Sequence, residues 1–190
     1  VASLGELVED RTGDVTLNKA YLAHELAGTE KDLYSPEALE AFSYRIAEEM
    51  IARYRTGRNQ VVVGLTGMSG SGKTTVTKMI SELFSDEHKP IVVSTDDYHR
   101  GKQWLEETYG APWTEWDDPR VYNTAELAFD LQQLSEGSPL LKRHFDFEKE
   151  ETVFDEELLP SPFVIVEGLY AGSPDLDTVR TLHYELPTGI

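Results

Sequence analysis

One segment constrains the fold of this chain more than any other: the run GMSGSGKT at residues 67–74. It matches the pattern G-x-x-x-x-G-K-[ST], which forms a phosphate-binding loop when it lies between a β-strand and an α-helix. Residues 61–65 are an apolar run typical of a buried parallel strand, and residues 74–84 have the pattern of a helix. The sequence therefore predicts a strand, a glycine-rich turn and a helix in succession.

This loop also predicts how phosphate groups would be bound. Its glycines allow a sharp turn that directs backbone N–H groups at phosphates, and the following helix adds its positive N-terminal end. We expect Lys73 to reach the terminal phosphates of ATP and the Thr74 hydroxyl to coordinate Mg²⁺. The residues expected to contact the nucleotide are Gly67, Ser69, Gly70, Ser71, Gly72, Lys73, Thr74 and Thr75.

After the loop, apolar strands alternate with helical segments. Strands are expected at residues 90–94, 163–166 and 181–186, and an amphipathic helix at residues 124–134. This alternation predicts the α/β class, as a P-loop NTPase-type three-layer fold with a mostly parallel sheet. Residues 61–190 would form this core.

Residues 1–60 are predicted to be a helical N-terminal extension that packs on the core. The clearest helix opens at Ser35 and Pro36, with an N-cap and a first-turn proline. Shorter helices are expected at residues 4–9 and 17–26. The apolar face of the main helix consists of Leu39, Phe42, Ile46, Met50 and Tyr54.

The charge balance limits which partners are expected. Acidic residues outnumber Lys and Arg by 35 to 17, a net charge of −18, whereas nucleic-acid binding needs clustered basic residues. No apolar run approaches the roughly 20 residues needed to cross a membrane, and no secretory signal is visible at the start. We therefore expect a cytoplasmic protein with neither nucleic acid nor a membrane as partner. The absence of cysteine excludes disulfides and thiolate metal sites.

Carboxylates follow two of the predicted strands at the point where each strand ends. Asp96 follows the second strand and Glu167 the third. The carboxyl ends of parallel strands meet at one edge of a sheet, where Lys73 is also expected. Phosphoryl transfer needs a group that accepts the proton of the attacking hydroxyl and groups that hold the metal, so both acids are candidates for these roles.

Five segments, in this order, carry a family resemblance: GMSGSGKTT, STDDYHRGK, EWDDPRVYN, HFDFEKEE and FVIVEGLYAG. Together they resemble the uridine kinase and phosphoribulokinase family of P-loop kinases, over residues 61–171. The resemblance implies an ATP-dependent enzyme that phosphorylates a hydroxyl group of a small molecule. A nucleoside is the expected acceptor, and a phosphoribulokinase-like kinase of a sugar or other metabolite is the alternative.

The resemblance also implies roles for individual residues. Asp96 matches the family's catalytic base and acts with Lys73, while Thr74, Glu167 and Asp96 would hold the metal. Asp117 aligns with an aspartate that binds sugar hydroxyls, although Asp118 could take this role after a shift of one residue. The full set of expected substrate residues is Tyr98, His99, Arg100, Asp117 and Phe145.

The sequence departs from the family pattern in two places. Phe145 replaces a tyrosine, and the family histidine a few residues later is absent, with Lys149 and Glu150 nearby instead, which weakens the case for uridine itself. The family also continues after its last strand with an arginine-bearing lid, whereas this sequence stops at Ile190. We expect a chain without the lid to bind nucleotide and turn over slowly. The acidic residues from Glu148 to Glu157 are expected to form a solvated loop.

The sequence leaves two other classes of function open. A regulatory nucleotide-binding NTPase usually carries an Asn-Lys-x-Asp motif, but Asn18-Lys19 precedes the phosphate loop and lacks the aspartate. The second alternative is a non-catalytic module that docks a partner through its helical N-terminal segment. Both predict that substitution of Asp96 changes little.

Overall fold

The computed structural model describes residues 8–9, 15–16 and 36–186. In chain order the helices are α1 Pro36–Arg55, α2 Lys73–Leu83, α3 Lys102–Tyr109 and α4 Thr124–Ser135. The strands are β1 Val8–Glu9, β2 Val15–Thr16, β3 Val61–Thr66, β4 Ile91–Ser94, β5 Leu140–Asp146, β6 Glu151–Leu158, β7 Phe163–Glu167 and β8 Leu182–Glu185.

Four parallel strands form the central sheet, in the order β4-β7-β3-β8. Glu167, at the end of β7, is in register with Leu65 of β3 on one side and with Ser94 of β4 on the other. The carboxyl ends of these three strands therefore lie at one edge of the sheet. This arrangement confirms the predicted α/β class with a mostly parallel sheet.

Helices cover both faces of this sheet, because alternate residues of each strand point to opposite sides. Val61 and Val63 pack in one buried cluster with α1 and α2, whereas Val62 packs on the other side with Leu127 and Leu131 of α4. The predicted three layers are therefore present. Among the described residues, no helix combines the length and apolarity needed to span a bilayer.

Helix α1 confirms the main helix predicted before the core. It begins at Pro36, and its Ile46 and Met50 side chains are completely buried against the sheet. The prediction of a shorter helix at residues 4–9 is wrong at residues 8–9, because β1 pairs antiparallel with β2 there. The β-branched valines and threonine of these strands favour extended backbone. The helix expected at residues 17–26 lies outside the described residues.

A helix and a hairpin occur in segments where the sequence predicted no regular element. Helix α3 lies between β4 and the helix expected at residues 124–134, and β5 and β6 form an antiparallel hairpin. The acidic run expected to be a loop is therefore mostly strand from Glu151 onward, held by backbone pairing. Its side chains at Glu151, Glu156 and Glu157 are exposed, as predicted for a solvated segment.

A hydrogen bond joins α1 to the edge strand β8. The Tyr184 hydroxyl donates to the Glu49 carboxylate at 2.5 Å, and this bond is the main reason that the pKa of Glu49 is lowered. Tyr184→Phe is expected to reduce the free energy of unfolding by about 1 kcal/mol, because the bond is charge-assisted but partly exposed. Urea unfolding would measure this loss.

Tyr54→Phe is the matched control for that substitution. The Tyr54 ring packs on Phe163 with centroids 5.2 Å apart, and its hydroxyl has no hydrogen-bond partner among the described residues. Removing that hydroxyl should leave the stability unchanged. An equal loss in both variants would contradict a specific role for the bond between Tyr184 and Glu49.

Candidate functional site

The phosphate loop connects β3 to α2 in a tightly folded backbone. Gly70 and Gly72 have φ angles of +78° and +89°, in the left-handed region that glycine adopts most easily. A Cβ atom at Gly67 would lie 2.4 Å from the Ser71 hydroxyl oxygen. A side chain at residue 67 would therefore overlap Ser71, which accounts for the first glycine of the sequence pattern.

Lys73 begins α2 and points back along the loop. Its ammonium group donates hydrogen bonds to the carbonyl oxygens of Gly67 at 2.7 Å and Met68 at 2.9 Å. Thr74 and Thr75 follow it in the exposed first turn of the helix. The predicted nucleotide-contacting residues thus lie together in the loop and the first turn of α2, with Gly67 and Ser71 buried.

Glu167 lies beside this loop, half-buried at the end of β7. Burial raises its pKa, while a hydrogen bond from the Ser94 hydroxyl and the charge of Lys73 act in the opposite direction. The charge of Asp96 also raises the pKa of Glu167, so Asp96 lies within electrostatic range of it. The structure therefore places Lys73, Asp96 and Glu167 at the same edge of the sheet.

Ser94 links the two acids and was not singled out by the sequence reasoning. Its hydroxyl oxygen accepts a hydrogen bond from the backbone N–H of Asp96 at 3.3 Å, and it donates to Glu167. Together with the exposed Thr74 hydroxyl, these acids offer the hard oxygen ligands that Mg²⁺ prefers. The donor set thus fits a magnesium ion.

The turn after β7 is closely packed. Gly168 has a φ angle of +136°, and a Cβ atom there would lie 1.9 Å from the Thr95 hydroxyl oxygen. The Gly168 N–H donates to the Leu65 carbonyl at 3.1 Å. This glycine therefore allows the segments that carry Asp96 and Glu167 to approach each other.

An aromatic cleft of about 350 Å³ lies near Asp96, whose charge acts on His99 and Tyr122 of its lining. Its walls combine aromatic rings with two carboxylates and one ammonium group. It brings together three of the predicted substrate residues, His99, Asp117 and Phe145. The complete lining is His99, Lys102, Trp116, Asp117, Tyr122, Phe145, Phe147 and Glu150.

The His99 ring packs against aromatic side chains from two different segments of the cleft lining. Its ring centroid lies 4.5 Å from that of Phe145 and 6.0 Å from that of Trp116. Burial lowers its pKa, and the nearby charge of Asp96 opposes this effect. The Nδ1 atom accepts a hydrogen bond from the Gly101 N–H at 2.9 Å, so the neutral ring carries its proton on Nε2.

Two predicted substrate residues do not line this cleft. Tyr98 is only 7% exposed, and its hydroxyl donates to the Asp130 carboxylate at 2.9 Å. Arg100 donates to the Asn123 side chain at 3.0 Å, and its guanidinium lies 4.5 Å from the centre of the Trp104 ring. Both line a separate cavity of about 220 Å³. His99 is the one residue that lines both this cavity and the aromatic cleft.

Asp97, next to the predicted base, supports the site. Its carboxylate accepts hydrogen bonds from the Phe145 N–H at 3.3 Å and from His144 at 3.2 Å. Burial raises its pKa, and these two contacts oppose the rise. Asp97 therefore ties the β5–β6 hairpin to the end of β4, which positions Phe145 beside His99.

Other lining residues were also missed, although the sequence held signals for them. Phe147 belongs to the same Phe-Asp-Phe segment as Phe145, and Trp116 and Tyr122 flank Asp117 in EWDDPRVYN. Tyr170 donates a hydrogen bond to the Asp117 carbonyl and so supports that segment.

A phosphate loop at the edge of a parallel sheet, with two carboxylates at the same edge and a cleft nearby, defines a P-loop protein of the nucleotide-binding α/β class. The model of the phosphoribulokinase / uridine kinase family matches residues 62–183. The chain belongs to this family.

Relatives of known name agree with this assignment. A uridine kinase from Bacillus subtilis (strain 168) is 34% identical over 119 residues, which is 60% of this chain and 53% of that protein. A uridine kinase from Clostridium tetani is 31% identical over 113 residues, with coverages of 59% and 53%. This chain spans about half the length of the curated relatives it matches.

Solved structures share the fold. A candidate fructose transport system kinase from Silicibacter sp. TM1040 superposes with a TM-score of 0.65 at 21% identity, covering 80% of this chain and 75% of that one. A candidate uridine kinase from Bacillus stearothermophilus gives a TM-score of 0.55 at 18% identity, with coverages of 77% and 82%. At these identities the likeness shows the fold alone.

Proposed function

We propose that this chain transfers the terminal phosphoryl group of ATP to a hydroxyl group of a small neutral acceptor, most simply a nucleoside. The observation that carries the proposal is the grouping of Lys73, Asp96 and Glu167 at one sheet edge, next to an aromatic cleft. The names of the curated relatives support the same reaction.

Each residue of this group has a role in the proposed reaction. The Asp96 carboxylate takes the proton of the acceptor hydroxyl, whose oxygen forms a bond to the γ-phosphorus as the bond to ADP breaks. Lys73 stabilises the negative charge on the phosphate oxygens. Thr74 and Glu167, with Asp96, would hold Mg²⁺, which supplies further neutralisation of that charge when bound.

The lining of the cleft supports a neutral, flat acceptor over a phosphorylated sugar. Asp117 and Glu150 would repel an added phosphate group, and Lys102 is the one lysine or arginine in the lining. Arg100, which a phosphoribulokinase-like site could use to bind an anion, instead contacts Asn123 and Trp104. The aromatic walls suit a planar base, because stacked rings bury large apolar surfaces.

A panel of acceptors tests the proposal. Nucleosides, ribulose 5-phosphate, pantothenate and simple sugars would be compared for ADP release, and ATP affinity would be measured separately by calorimetry. We expect ATP to bind and nucleosides to exceed ribulose 5-phosphate by at least about tenfold in kcat/KM. Lys73→Met is the negative control.

Three outcomes would contradict the proposal. Preference for the phosphorylated sugar would favour the phosphoribulokinase-like alternative. ATP binding and hydrolysis without transfer to any acceptor would favour the regulatory NTPase. No uptake of ATP in calorimetry would exclude both kinase assignments.

A further inference from the structure

Glu150 has an unusual backbone conformation at the turn between β5 and β6. Its φ angle is +55°, and it is the non-glycine residue with positive φ within the described part of the chain. Glutamate rarely occupies this region, and such strain tends to occur at functional positions. A glycine would adopt the same turn more easily, so the side chain itself is a candidate for a role.

The Glu150 carboxylate is free to contact a bound molecule. Its neighbours are paired: Lys149 lies 3.1 Å from Asp146 and 4.0 Å from Glu151. Glu150 has no hydrogen bond or ion pair with another of the residues that the structure describes. It lines the aromatic cleft instead, and its charge acts on His99.

The chemistry of this carboxylate limits what it can bind. An ionised carboxylate only accepts hydrogen bonds, so it attracts an amino or hydroxyl group and repels a carbonyl oxygen. Phe145 and Phe147 belong to the same hairpin and provide the aromatic surface beside it. A ring lying on these aromatic side chains would present its edge to Glu150.

We propose that Glu150 determines acceptor specificity, selecting a ring that presents an amino group over one that presents a carbonyl at the same place. This inference rests on the proposed function and deepens it. Cytidine and uridine are matched probes, because the base of cytidine carries an amino group where that of uridine carries a carbonyl oxygen.

The test compares kcat/KM and binding affinity for the two nucleosides in the whole chain. We expect the unmodified protein to prefer cytidine by at least about fivefold, in line with a charge-assisted hydrogen bond at an exposed site. Glu150→Gln, whose amide can donate as well as accept, should bring the ratio to within about twofold of unity. Glu148→Gln, an exposed residue of the same turn outside the cleft lining, should keep the original ratio.

A second substitution separates selectivity from a structural role. Glu150→Gly relieves the left-handed φ, so it should keep or raise the melting temperature while abolishing the preference. If Glu150 makes no contact with the acceptor, the ratio should stay unchanged in this variant.

The outcomes distinguish this inference from the proposed function. Equal use of both nucleosides, a preference for uridine, or an unchanged ratio in Glu150→Gln would overturn the role of Glu150 and leave the kinase proposal standing. Failure to bind or phosphorylate either nucleoside would overturn the nucleoside proposal, and the role of Glu150 with it.

Discussion

Replacing Asp96 with asparagine is expected to lower kcat for the preferred acceptor by about 10³-fold, while ATP affinity stays within about threefold. Asparagine has nearly the same shape but cannot take the proton of the acceptor hydroxyl. Its backbone N–H can still donate to Ser94, so the turn after β4 should persist. Steady-state kinetics and ATP calorimetry on the same preparation would measure both effects.

Asp97→Asn is the control for this substitution, since it makes the same chemical change one residue away. Asp97 binds the hairpin through Phe145 and His144, so its loss should raise the KM for the acceptor and keep kcat within about tenfold. If Asp96→Asn retained more than a tenth of the original kcat, Asp96 would not be the base. Another group would then have to take the proton of the acceptor hydroxyl.

Gly168→Ala is expected to destabilise the fold by about 3 kcal/mol or more. The added Cβ atom would lie 1.9 Å from the hydroxyl oxygen and 3.0 Å from the Cβ atom of Thr95, which is completely buried. The φ angle of +136° is also unfavourable for alanine. Equilibrium unfolding in urea, followed by circular dichroism, would measure the loss.

Two variants separate the causes of this effect. Gly110→Ala places alanine at a φ angle of +104° with no atom within 4 Å of the new Cβ, so it should lose only about 1 kcal/mol. Thr95→Ala combined with Gly168→Ala removes the overlapping hydroxyl and should recover part of the stability. Equal losses in Gly168→Ala and Gly110→Ala would show that the overlap with Thr95 has little effect.

The centre of the fold could be predicted because its signals are local. Strand β3 is a continuous apolar run buried on both faces, and the glycines of the loop are required by its own backbone geometry. Asp96 and Glu167 were predicted at one edge because parallel strands align their carboxyl ends. The register of Ser94 and Leu65 with Glu167 agrees with that reasoning.

The hairpin and the orientations of side chains could not be predicted in the same way. Strands β5 and β6 are rich in charged residues and pair mainly through their backbones, so their sequences lack the alternation that marks a half-buried strand. Tyr98 and Arg100 follow Asp96 closely, but their directions depend on Asp130 and Asn123, which are distant in sequence.

The position of β3 in the sheet has a consequence for how the protein is made. Its hydrogen-bonded neighbours arrive late in synthesis: Val61 pairs with Phe163, and Val63 pairs with Leu182. A nascent chain that has just produced the phosphate loop therefore holds an apolar strand without either flanking partner, and such unpaired strands invite aggregation. The nucleotide site can therefore be completed only when nearly all of the described chain has left the ribosome. Until then, the exposed edges of β3 are the part of the chain that a chaperone would need to cover.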